Sequence, residues 1–198
     1  MTTRMRQFHR PRLHDESRIL QPRHWEALWG WIPEADRMLV PALSYVSDKH
    51  GMSVTAMLQK LHGHLRSSMI LVLLTTEHEI LGVFSPFPFR QDAKAASADA
   101  SLDVSFVYQL EPREQAYWWT GANSIFMTIV NKKIYIGGND VAIFIDEDLR
   151  HGRSRKCASF GSPQLVQDEF GDFLISLVEI WTLRNDYILP ALHPAAQL

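Results

Sequence analysis

The chain has 198 residues, of which 46% are hydrophobic and 21% charged, so it can form a globular core of ordinary size. Its formal net charge of −2 gives no general reason to expect binding to nucleic acid or acidic lipid. The longest mainly apolar run, Met69 to Leu74, falls far short of the roughly 20 residues that span a bilayer. The single cysteine, Cys157, excludes an internal disulfide and indicates a reducing compartment. We therefore expect one cytoplasmic domain.

Residues 1–18 are predicted to be a basic, disordered leader. The first 24 residues hold six arginines against Asp15 and Glu16, a net charge of +4, which leaves −6 on the remainder. The segment has too few apolar groups to offset the entropy of ordering it. A mitochondrial presequence is an alternative interpretation, but Pro11 and the missing apolar helical stripe argue against it.

Two short amphipathic helices are predicted in the first third of the chain. The first has Pro22 in its opening turn, Pro33 as its stop, and an apolar face formed by Trp25, Leu28, Trp29 and Ile32. The second begins after Ser53, a suitable N-cap, and ends near Gly63.

From Met69 onward, short apolar or alternating runs separated by turn residues predict antiparallel strands. The predicted strands are Met69 to Thr75, Ile80 to Ser85, Ser105 to Leu110, Ala116 to Thr120, Ile125 to Val130, Lys133 to Ile136, Val141 to Asp146 and Phe173 to Leu183. The small, polar stretch Gln91 to Asp103 is predicted to be a mobile loop, and Ser162-Pro163 predicts the start of a brief helix. The strand count indicates an α+β, mainly β fold: a two-sheet antiparallel β-sandwich flanked by short helices.

Several motifs, in order along residues 19–183, resemble the TLDc domain family found in oxidation-resistance proteins. They are Ile19-Leu20, Leu28, Trp31 to Pro33, Leu43 to Ser47, His50 to Ser53, Ile80 to Ser85, Phe106 to Tyr108, Trp119 to Phe126, Ile145 to Ser154, Cys157 to Phe160 and Val178 to Trp181. The run Trp119 to Phe126 is similar to the family's "WTGxNxxF", and Ile145 to Ser154 to its "LDxDLxxGxS". Residues 184–198 then form a C-terminal extension. Two family features differ here: "YGTGE" is missing before the strand at Phe106, and the glycine-rich hairpin is shortened to Gly137 to Asp140.

The resemblance implies a sandwich of two sheets and a non-enzymatic interaction module. It also implies a contribution to protection against oxidative stress. The implied partners are subunits of the cytosolic sector of the vacuolar proton ATPase, which would recruit this cytoplasmic protein to acidic organelle membranes. No cofactor is implied.

Partner contact is predicted in loops, because sandwich loops cluster at the strand ends where a rigid scaffold presents them together. The predicted contact residues are His50, Gly51, Gly137, Gly138, Asn139, Asp140, Asp146, Asp148 and Gly152. The alternative interpretation is that each of these glycines is needed for the geometry of its turn and that Asp148 caps a turn. His50 is expected to order its loop through a hydrogen bond. The acids from Asp146 to Asp148 lack the spacing of a complete metal site.

The alternative function is a thiol-dependent peroxide scavenger that uses Cys157. Arg155 and Lys156 precede this cysteine, and neighbouring cations stabilise a thiolate. A buried structural cysteine is the competing interpretation. Glu179, in an apolar strand, needs a partner if buried, and the sequence leaves open whether it is structural or a site residue. Trp118 faces away from Tyr117 and Trp119, towards a side that can be exposed.

Overall fold

The structure is a computed structural model that describes residues 11–64, 67–89, 103–122, 127–138 and 140–185. The predicted leader up to residue 10, residues 91–102 of the predicted loop, Asn139 and the extension after residue 185 lie outside the described residues. The helices are α1 (Pro22–Trp31), α2 (Glu34–Arg37), α3 (Ser47–His50) and α4 (Val54–Leu61), with a 3₁₀ turn at His62–His64. None of these described helices is long and apolar enough to cross a membrane.

Ten antiparallel strands of the described residues build two sheets. They are β1 (Val40–Val46), β2 (Met69–Thr75), β3 (Ile80–Ser85), β4 (Phe106–Glu111), β5 (Gln115–Trp118), β6 (Met127–Val130), β7 (Lys133–Ile136), β8 (Ile143–Ile145), β9 (His151–Arg153) and β10 (Asp172–Arg184). The first sheet has the order β5-β4-β3-β2-β10-β1, and the second has the order β10-β9-β8-β7-β6. The predicted mainly β fold, a two-sheet sandwich with short helices, is confirmed.

Strand β10 belongs to both sheets. Its first residues, Asp172–Leu174, pair with β9, whereas residues 175–182 pair with β2 and residues 179–184 with β1. The register against β2 shifts between Ile175 and Leu177, and an irregularity of this kind bends a strand. The Oγ of Ser47 accepts a hydrogen bond from Val178 N (3.0 Å), which satisfies a backbone donor of β10 beside this shift. The bend lets one strand pass from one sheet to the other.

Two apolar clusters stabilise the layers. Side chains that face each other from the two sheets form the main core, with Val54, Met57 and Leu61 of α4 at its margin. The opposite face of the first sheet is covered by α1, whose Trp25 ring meets Trp181 edge-on at 4.9 Å between centroids. The outer face of the second sheet is open to solvent, with Val130 47% and Leu174 50% exposed.

The buried carboxylate of Glu179 fixes the segment that precedes α1. It accepts hydrogen bonds from Ser17 Oγ (2.6 Å), Arg18 N (2.7 Å) and Trp181 Nε1 (3.0 Å). Ser17 Oγ also accepts from the backbone N of Leu20 at 2.7 Å. Glu179 is therefore a structural acid, and Ser17 and Arg18, which the sequence assigned to the leader, are held against β10.

Several local predictions agree with these elements. Pro22 is the first residue of α1, and Ser53 caps α4 by accepting a hydrogen bond from Ala56 N (3.1 Å). The boundaries of β2, β3 and β7 match the predicted strands. Trp118 is exposed, as its position opposite its two neighbours predicts.

The brief helix predicted at Ser162-Pro163 is wrong. Ser162 instead forms an isolated antiparallel bridge with Cys157, and both backbone hydrogen bonds of the pair are present. This local pairing uses the carbonyl of Ser162, which an N-cap residue would have offered to the first turn of a helix.

Candidate functional site

Two side-chain hydrogen bonds help to order the loop at His50 and Gly51. Val46 N donates to His50 Nδ1 (3.0 Å), as expected for a loop-ordering histidine, and the Tyr45 hydroxyl donates to Gly51 O (2.5 Å). Burial, with the cations of Lys60 and Lys49 nearby, lowers the pKa of His50, which keeps the accepting nitrogen unprotonated. Burial raises the pKa of Tyr45 to about 12, which preserves its hydroxyl as a donor.

The turn before β9 is capped by Asp146 rather than by Asp148. Asp146 Oδ1 accepts hydrogen bonds from Arg150 N (2.9 Å) and His151 N (3.2 Å), and its Oδ2 lies 2.9 Å from His151 Nδ1. Burial raises the pKa of Asp146, but the hydrogen bonds from Arg150 and His151 outweigh it and leave the pKa below its ordinary value. Asp148 is exposed, which suits a contact residue better than a cap.

The glycines predicted to contact a partner have structural roles. Gly137 has φ +105°, and a Cβ there would lie 2.6 Å from Cys157 Sγ. Gly138 N donates to Ser159 Oγ (2.8 Å), and a Cβ on Gly152 would lie 2.2 Å from Phe173 Cζ. Close packing therefore accounts for Gly137 and Gly152, although their loops can still present other contacts.

The predicted contact loops lie at two ends of the β7–β8 hairpin. A hydrogen bond from Val54 N to Glu147 O (3.0 Å) joins the start of α4 to the turn at Asp146, so the His50 loop and this turn are neighbours. Ile134 pairs with Ile145 and Ile136 with Ile143, which puts Gly137, Gly138 and Asp140 at the opposite end. The two sets of loops are separated by about 13 Å, the length of the four-residue strand β7. The predicted contact residues are therefore divided between the two ends of this hairpin.

Cys157 is a buried structural cysteine. It is 1% exposed, lies in the main core, and donates its backbone N–H to Ser162 O (2.9 Å). A peroxide cannot reach this sulfur in the folded structure, which counts against the scavenger alternative.

A groove of about 1400 Å³ on the outer face of the second sheet brings Asp140 and Gly152 together with residues that the sequence did not predict as contacts. Among those additional lining residues are Glu77, Glu79, Glu111, Tyr135, Phe144, His151, Arg153, Arg155, Asp168, Asp172 and Leu174. They come from the β2–β3 turn, the end of β4, strands β7 to β10 and the segment before β10. The only local signal for this groove in the sequence is the alternation of His151, Arg153 and Arg155 with small residues.

The floor of the groove combines two aromatic rings with one ion pair in the same cross-strand row. The Tyr135 and Phe144 rings lie 5.1 Å apart between centroids, and Phe144 pairs with Arg153 across the sheet. Arg153 binds both carboxylate oxygens of Asp172, one of them with Nη2 to Oδ2 at 3.1 Å. The hydrogen bond from Arg153 lowers the pKa of Asp172.

The wall formed by the β2–β3 turn is acidic. Glu79 is 8% exposed, and its Oε1 accepts a hydrogen bond from Gln167 N (2.8 Å). Burial raises the pKa of Glu79; the Gln167 hydrogen bond opposes this rise, and the charges of Glu77 and Asp168 add to it. Glu77 and Asp168 therefore lie close enough to Glu79 for their charges to disfavour its ionised form.

Replacing Asp146 by alanine is expected to lower the free energy of unfolding by about 1–2 kcal/mol, because the capping hydrogen bonds are lost. Asp148→Ala, the matched control, should change it by less than about 0.5 kcal/mol. Since the folded pKa of Asp146 is depressed, its stabilisation is present above the unfolded pKa and disappears as the pH falls through the folded value. Urea unfolding at neutral and acid pH checks both points, and equal losses in the two variants would contradict the assignment.

The chain resembles known proteins over most of its length. The family model of the TLDc domain matches residues 13–184. Oxidation resistance protein 1 of Rattus norvegicus is 30% identical over 177 residues, covering 88% of this chain and 20% of that protein. Nuclear receptor coactivator 7 of Gallus gallus is 29% identical over 177 residues, which cover 88% of this chain and 19% of that protein. GTPase-activating protein skywalker of Drosophila melanogaster is 28% identical over 169 residues, which cover 78% of this chain and 28% of that protein.

The chain spans only about a fifth to a little over a quarter of the length of these curated relatives. The matched residues 13–184 nevertheless contain every described helix and strand, including the Glu179 contacts, the turn at Asp146 and the groove. The chain therefore belongs to the TLDc domain family.

Proposed function

We propose that this chain is a non-enzymatic interaction module that binds the cytosolic sector of the vacuolar proton ATPase and contributes to resistance against oxidation. Membership of the TLDc domain family carries the proposal. The family resemblance implies the ATPase as partner, and the name of the relative from Rattus norvegicus gives the link to oxidation. The place of action would be the cytosolic face of acidic organelles.

The structure supports a binding role through its surfaces. The loops near Asp148 are exposed on a rigid sandwich, and the groove adds a concave surface beside them. The burial of Cys157 disfavours nucleophilic chemistry at that sulfur. The basic leader would add long-range attraction to an acidic surface of the partner.

Affinity capture with the tagged, full-length chain tests the proposed partner. Subunits of the cytosolic ATPase sector are expected above a tag-only control, and Asp148→Lys should reduce their recovery without changing the thermal unfolding midpoint. Recovery of no ATPase subunit above control would overturn the assigned partner. Peroxide turnover that disappears in Cys157→Ser would overturn the non-enzymatic assignment.

A further inference from the structure

We propose that the groove on the outer face of the second sheet binds an extended protein segment in which Lys or Arg alternates with apolar residues. This inference deepens the proposed function, on which it rests for the general role in protein binding. It names the chemistry of the segment that would bind, irrespective of the protein to which that segment belongs.

The charge of the groove favours a basic occupant. Six carboxylates and two guanidinium groups line it, a formal charge of −4 with both of its histidines neutral. Glu111 is paired with Arg23 from outside the groove, and Asp172 with Arg153 inside it. The negative charge that these two pairs leave includes Glu77, Glu79 and Asp168, and the charges of Glu77 and Asp168 add to the rise in the pKa of the buried Glu79. A cation bound there would relieve that repulsion.

The floor of the groove favours an apolar neighbour for that cation. Leu174 is 50% exposed, and its backbone O accepts a hydrogen bond from Thr76 N (3.0 Å), which places it beside the acidic turn. Leu174 pairs with His151 of β9 across the sheet, and beyond Arg153 of the same strand the partly exposed Phe144 and Tyr135 continue the floor on β8 and β7. Apolar side chains of an extended segment would contact this floor, and the long stems of the basic residues between them would let their charged ends reach the carboxylates beside it.

The dimensions favour a polymer over a small molecule. Small-molecule pockets usually measure about 300–1,000 Å³, less than the roughly 1400 Å³ of this groove. The floor of the groove crosses three strand spacings, from β10 through β9 and β8 to β7, a distance of about 14 Å. Four extended residues, at about 3.3 Å each, would cross that distance.

Fluorescence anisotropy with two fluorescein-labelled hexapeptides tests this inference on the full-length chain. The probes are Lys-Leu-Lys-Phe-Lys-Leu and Glu-Leu-Glu-Phe-Glu-Leu. The lysine peptide should bind at least about tenfold more tightly, the ratio expected for one charge-assisted hydrogen bond. Its affinity should also fall as salt is raised.

Variants locate the binding. Glu79→Gln with Asp168→Asn should weaken the lysine peptide about tenfold, whereas Glu34→Gln with Asp103→Asn, which removes the same charge outside the groove, should leave its affinity within about twofold. Glu77→Gln and Leu174→Ser, at exposed positions, test the same wall and floor if the buried Glu79 does not tolerate substitution.

Equal affinity of the two peptides would overturn the proposal, as would equal weakening by the groove pair and the control pair. Unchanged binding of the lysine peptide to both Glu77→Gln and Leu174→Ser would also overturn the proposal. ATPase capture can succeed when the peptides fail to bind, so the two experiments separate this inference from the proposed partner.

Discussion

Replacing Glu179 by alanine is expected to lower the free energy of unfolding by about 3–5 kcal/mol, because three buried or half-buried donors lose their acceptor together. These donors are the Ser17 hydroxyl, the Arg18 backbone N–H and the Trp181 indole N–H. Water cannot easily replace the carboxylate, since Glu179 is 0% exposed. Urea unfolding followed by tryptophan fluorescence measures the loss.

Two further substitutions make this expectation specific. Glu179→Gln retains an acceptor oxygen and should cost less than the alanine variant, while Glu34→Ala, at an exposed position, should stay within about 0.5 kcal/mol of wild type. A loss below about 1 kcal/mol in Glu179→Ala would show that this carboxylate does not hold the segment preceding α1.

Gly82→Ala is expected to destabilise the domain by more than about 3 kcal/mol or to prevent its folding, because the new methyl group has no space. A Cβ at this position would lie 1.9 Å from Leu71 O and 2.6 Å from the Tyr108 hydroxyl. That hydroxyl donates to Leu71 O (2.8 Å), and burial keeps the pKa of Tyr108 well above its usual value. The methyl group must therefore separate β2 from β3 or break this buried hydrogen bond.

Gly63→Ala is the matched control. A Cβ there meets nothing within 4 Å, so this variant should keep the wild-type stability or gain up to about 1 kcal/mol from the lower entropy of its unfolded chain. Thermal unfolding and soluble yield compare the two variants. Similar stability for both would contradict the steric explanation.

The sequence was most informative where local signals and tertiary structure agree. The helical spacing of Trp25 and Leu28, with Pro22 before them, is sufficient to predict α1. The continuous apolar run of β2 is explained by its burial on both faces of the sheet. β1 was missed because Pro41 interrupts it and its partner β10 is distant in sequence. β9 was missed because three residues around Gly152 carry no strand pattern of their own.

The candidate site was predicted only in part. Motif resemblance identified the loops at His50 and Asp146, and the structure places them side by side. The groove depends on the register of β7 to β10 and on the β2–β3 turn, and neither leaves a local pattern that joins Glu79 to Phe144. A site assembled from separate turns requires the three-dimensional arrangement.

The shared strand β10 also affects how the protein can be made. Strands β1 and β2 leave the ribosome early, but both pair with β10, which is synthesised last among the described strands. Until then the edges of β1 and β2 that will pair with β10 have no native partner and can associate with other chains. Such long-range pairing slows folding, and newly made chains are open to aggregation and chaperone binding during that delay. Stopping synthesis anywhere before β10 would leave both sheets incomplete.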